Sequence, residues 1–111
     1  MKITFTKCQR INEARDGLDL LFYFVDDNQN IHKIHTVAKL GAQISWYLTQ
    51  QEVYEYSKKV FPLVVNFIGD WWNKHRTLPP EGQPYFEGKE LGYVRSNKLD
   101  WENYTIELDT V

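Results

Sequence analysis

The chain predicts an α+β fold: a mostly antiparallel sheet of four or five strands packed on one long kinked helix, in the order β-β-β-α-β-β. Three observations lead there. Residues Ile3 to Val37 alternate apolar and polar side chains in short runs separated by turn residues, as strands of a meander do. Residues Thr49 to Thr77 carry apolar side chains at helical spacing behind a capping signal. Two further strand-like runs, Tyr85 to Val94 and Trp101 to Leu108, follow a Pro-Pro break.

Each element has a local reason. Ile3-Thr4-Phe5-Thr6 alternates as a half-buried strand, and Asn12 to Gly17 is polar and ends in the turn pair Asp16-Gly17. Leu18 to Val25 is almost wholly apolar, with Leu20, Phe22 and Phe24 on one face and Leu21, Tyr23 and Val25 on the other. Burial on both faces predicts a central strand. Asp26-Asp27-Asn28-Gln29-Asn30 is a hairpin loop, since Asn and Asp tolerate left-handed backbone. Ile31 to Val37 is the returning strand. Ala38 to Leu48 contains Gly41 and an aromatic lead-in, Trp46-Tyr47-Leu48.

Thr49-Gln50-Gln51-Glu52 is a capping box. Val53, Tyr56, Val60, Val64, Phe67 and Trp71 form one apolar stripe, and Tyr54, Phe61, Val65, Ile68 and Trp72 a second beside it. Together they span roughly 200° of the helix, where a helix lying on one sheet needs little more than about 100°. Pro62 and Gly69 fall on the polar arc, so one bent helix is predicted rather than two. Lys74, His75 and Arg76 suit its carbonyl end, and Leu78-Pro79-Pro80-Glu81-Gly82 stops it. In the last strand Tyr104, Ile106 and Leu108 share one face.

At 111 residues the chain is expected to be a single domain, residues 1–111. A chain of this size buries somewhat under about 70% of its unfolded surface and can fold without disulfides or metals. Aromatic content is high at 15%, with four Trp, seven Tyr and six Phe to fill a small core. The net charge of −2 argues against a whole-protein attraction to nucleic acid or anionic membrane. The C-terminal third is acidic: Glu81, Glu87, Glu90, Asp100, Glu102, Glu107 and Asp109 oppose Lys89, Arg95 and Lys98. Cys8 is the only cysteine, which excludes an intramolecular disulfide, and no stretch reaches the roughly 18 apolar residues of a membrane span. With no apolar signal segment at Met1 to Lys7, a cytoplasmic protein is expected.

No catalytic set emerges. His32 and His35, three apart on a strand, point to opposite faces and cannot chelate one ion. Ser45, Ser57 and Ser96 lack the flanking glycines of a nucleophile elbow. Asp26-Asp27 fits a turn and Asp100 with Glu102 a strand start; neither context favours the burial that raises a carboxyl pKa, although Leu99 and Trp101 flank the second pair. No cofactor and no metal site is expected.

The expected function is a non-enzymatic protein-interaction domain, an inhibitor, immunity or accessory factor that binds another protein or itself. Its surface is the second stripe, Tyr54, Phe61, Val65, Ile68 and Trp72, with a homodimer through Phe61, Ile68 and Trp72 as the simplest form. Trp71, at the centre of the arc, is assigned to the core. The competing occupant of that stripe is the chain's own segment Leu78 to Phe86. The alternative function is nucleic-acid binding through a basic strip of Lys58, Lys59, Lys74 and Arg76. A ligand or enzyme site under the 78–92 loop ranks third.

Overall fold

A computed structural model describes residues 1–13, 17–39, 48–80, 85–86 and 98–109, the side chains of 12, 13, 17, 38, 39, 85 and 86 excepted. Three strands, β1 (Lys2–Glu13), β2 (Gly17–Val25) and β3 (Ile31–Lys39), form an antiparallel meander. The helix α1 (Gln50–His75) follows, then the short strands β4 (Tyr85–Phe86) and β5 (Thr105–Glu107). The sheet order is β4-β3-β2-β1-β5, with β5 antiparallel to β1 and β4 parallel to β3. The fold is α+β, with helix and sheet as its two layers.

The apolar run of β2 makes it the middle strand. Leu18, Leu20, Phe22 and Phe24 are at most 1% exposed on the helix side. Their cross-strand partners include Phe5 and Cys8 on β1 and Ile34 and Thr36 on β3. On the opposite face Leu21, Tyr23 and Val25 are half-buried. β1 is longer than its alternating segment implies, because register shifts after Phe5 and after Arg10 let it bend and continue.

The hairpin between β2 and β3 is organised by Asp26. Its carboxylate accepts from the backbone amides of Asn28 and Asn30 at 2.8 and 3.0 Å, and Gln29 takes a left-handed φ of 64°.

The capping box forms as the sequence implies: Glu52 N–H donates to Thr49 Oγ1 and Thr49 N–H to Glu52 Oε1, both at 3.1 Å. The helix runs unbroken through Pro62 and ends at Arg76, whose left-handed backbone (φ 55°) lets its N–H reach Trp72 O at 2.8 Å. Val60, Phe61, Val64 and Ile68 are fully buried against the sheet. The Phe61 ring sits edge-on to Phe5 at 4.7 Å and to Tyr104 at 5.3 Å.

The final strand is shorter than predicted. Residues Trp101 to Tyr104 form a turn instead, in which Glu102 N–H bonds to the Asp100 side chain at 3.0 Å and Asn103 adopts φ 59°. Asp and Asn favour such local bonding over a ladder. The sequence also predicts a turn at Ser96-Asn97-Lys98; all of it but Lys98, most of the predicted strand 85–94 and the aromatic lead-in at 46–47 lie outside the described residues.

Candidate functional site

The helix flank predicted to meet a partner is largely enclosed by this chain. Phe61 and Ile68 are 0% exposed and Trp72 6%, so they are core residues and offer no dimer surface. Tyr54 and Val65 are half-buried. The cover comes from the segment ending in β5. Trp72 Nε1 donates to Asp109 O at 2.7 Å, Tyr54 Oη donates to Glu102 Oε1 at 3.3 Å, and the Trp101 ring lies edge-on to Tyr54 at 6.2 Å. Trp101 is itself 8% exposed. Its indole N–H donates to Ser57 Oγ at 2.8 Å, and Ser57 in turn donates to the Tyr54 carbonyl at 2.6 Å.

Of the two adjacent tryptophans, the sequence assigns Trp71 to the core, yet Trp72 is the buried one. Trp71 is half-buried, and its ring contacts are with its own helix: Phe67 at 5.9 Å and His75 at 4.3 Å. Its Nε1 reaches only Thr77 Oγ1, at 3.4 Å. With Tyr56, Leu63 and Phe67, also half-buried, Trp71 forms a row within about 80° of arc at 100° per residue. Sequence periodicity holds the signal for this row, since Tyr56, Phe67 and Trp71 belong to the first stripe. What periodicity does not show is that the sheet takes the seam between the stripes, burying Val60 and Val64 of the first with Phe61 and Ile68 of the second.

The basic strip does not assemble. Lys58 and Lys59 are neighbours in sequence and so project about 100° apart. Lys58 Nζ sits 4.2 Å from the Tyr54 ring centroid and Lys59 Nζ 5.3 Å from that of Tyr56. The Tyr54 phenol beside Lys58 raises its ammonium above the ordinary lysine range. Lys74 is exposed on the Tyr56 side, and Arg76 is the C-cap, its Nη1 donating to Asp109 O at 3.2 Å. Acids intervene: Glu55 bonds Lys98 at 2.8 Å, which holds its carboxyl below the usual range. A groove that tracks phosphates needs cations aligned on one side, and these four are dispersed.

The titratable groups elsewhere serve structure. His32 Nε2 lies 2.9 Å from Asp26 Oδ2, and its ring stacks on Phe24 at 5.3 Å. That contact, with the amides of Asn28 and Asn30, lowers the Asp26 carboxyl to about 2. His35 points to the other face, 3.7 Å from Asp19 Oδ2. Burial pushes the Cys8 thiol up to about 12, which removes the thiolate that nucleophilic chemistry needs. Among the described residues no group of three or more His, Cys, Asp or Glu side chains is placed to hold a metal ion. The 78–92 loop lies mostly outside the described residues.

No family model, curated protein or solved structure matches this chain. No helix among the described residues is long and apolar enough to cross a membrane.

Proposed function

We propose that this chain is a small non-enzymatic protein-interaction domain, an inhibitor, immunity or accessory factor, that binds another protein or a second copy of itself. The observation that carries the reading is Trp71. Among the described residues the Trp71 ring lies against only Phe67 and His75 of its own helix, and this half-buried ring is apolar surface that a partner can cover. Tryptophan is the residue type most enriched at binding hot spots. Tyr56, Leu63 and Phe67 extend the patch along the same side, and Lys59 and Lys74 give it a polar rim. Such a centre of aromatic anchors within a charged border is the usual anatomy of an interface.

The test compares Trp71→Glu with Trp72→Glu. The first variant is expected to keep the wild-type circular dichroism spectrum and melting temperature while losing self-association in sedimentation, or losing the partner retained by immobilised wild type. The second is expected to unfold. A folded Trp71→Glu protein that associates as wild type does would sink the reading.

A further inference from the structure

A cavity of about 140 Å³ lies where β1, β2 and the first two turns of α1 meet Trp101. Its closed end is made by Leu20, Ser57 and Trp101, which are 0%, 2% and 8% exposed. Half-buried Cys8, Val53 and Tyr54 wall it, and exposed Gln50 with half-buried Arg10 marks the way to solvent.

The chemistry of this space is apolar despite the hydroxyl and indole N–H at its base. Those two groups satisfy each other: Trp101 Nε1 donates to Ser57 Oγ at 2.8 Å, and Ser57 donates to Tyr54 O at 2.6 Å. The Cys8 sulfur stays a neutral thiol, since its pKa is raised to about 12 by burial, and a neutral thiol packs as a small hydrophobe. A buried water needs two to four polar partners, and apolar cavities of about 150 Å³ stay dry and accept benzene.

From this geometry we infer that the cavity is a binding site for a small uncharged apolar ring, about the size of benzene, entering past Gln50 and seating against Leu20 and the Trp101 indole. The site would couple ligand to structure through Trp101. Among the described residues, the approach to the strand that it anchors is also tied to α1 by Leu99 N–H to Lys58 O at 3.0 Å and by the exposed Lys98–Glu55 pair.

The experiment titrates benzene into the ¹⁵N-labelled full chain and follows the tryptophan indole N–H signals, that of Trp101 being identified by its loss in Trp101→Phe. The expected result is a saturable shift largest for Trp101, together with a rise in melting temperature. Val53→Phe and Cys8→Leu fill the space from two different walls. Whichever folds should bind benzene at least about tenfold more weakly, without a lower melting temperature than the size of the substitution explains. An unsaturable shift, an equal shift of all indole signals, or unchanged affinity in a folded filled variant would overturn the assignment. Should neither variant fold, the wild-type titration decides alone.

Discussion

The indole N–H of Trp72 donates to the carbonyl of Asp109 at 2.7 Å, a hydrogen bond that spans 37 positions of sequence. It latches the residues just after β5 onto the last full turn of the helix, and Arg76 Nη1 reaches the same oxygen at 3.2 Å. Trp72→Phe keeps most of the ring and removes the donor, so it should cost about 0.5–1.5 kcal/mol. Trp72→Ala should cost about 3–5 kcal/mol through the cavity it leaves. Urea unfolding of the two variants measures the difference, and equal losses would mean that the bond, not the ring, carries the stability.

Ser57→Ala leaves the Trp101 indole N–H buried without an acceptor. The expected cost is about 1–3 kcal/mol, the penalty for orphaning a buried donor. Trp101→Phe removes the donor along with its partner's role, so the double variant should be less destabilised than the sum of the two singles. A double-mutant cycle that adds to within about 0.3–0.5 kcal/mol would rule out the coupling.

Acid should loosen the β2–β3 hairpin. The Asp26 carboxyl is lowered from its ordinary 3.8 to about 2, chiefly by the His32 contact and by the Asn28 and Asn30 amides. A depressed folded pKa means that the stabilisation is complete above about pH 4 and is lost as pH falls toward 2. Asp26→Asn should flatten that part of the pH–stability curve. Chemical denaturation between pH 2 and 6 provides the comparison, and parallel curves for the two proteins would refute the assignment to Asp26.

Thr49→Ala removes the acceptor for the Glu52 amide at the start of α1. The loss should be about 1 kcal/mol, visible as a lower urea midpoint at unchanged slope. Because the helix buries one side along its whole length, the effect should appear in global unfolding rather than as fraying of the first turn alone.

The elements written in local chemistry were legible in the sequence. The capping box at Thr49 and Glu52, the inward alternation of Leu20, Phe22 and Phe24, and the Asp-Asn hairpin all depend on residues within a few positions of one another. The helix orientation was not legible. Val60 and Val64 of the first stripe and Phe61 and Ile68 of the second are buried together, while Trp101, Tyr104 and Asp109, some 30 or more residues downstream, meet the second flank alone. Hence adjacent Trp71 and Trp72 differ in burial, and Trp71, assigned to the core from the sequence, is the less buried of the two. The basic residues failed for a related reason. Lys58, Lys59, Lys74 and Arg76 share a polar arc only loosely, and each found its own aromatic or carbonyl partner or open solvent.

The pairing of β5 with β1 also bears on the order of events during synthesis. On the side of β1 away from β2, Lys2, Ile3 and Thr4 pair with Glu107, Ile106 and Thr105, so that edge of β1 waits about a hundred residues of synthesis for its partner. Until then the meander and helix can associate, but the Phe5 carbonyl and amide that later meet Asn103 and Tyr104 stay open along a bare edge. Closing so long a loop is entropically slow. Until residues 103–107 have emerged, β1 is therefore open to edge-on association with other chains.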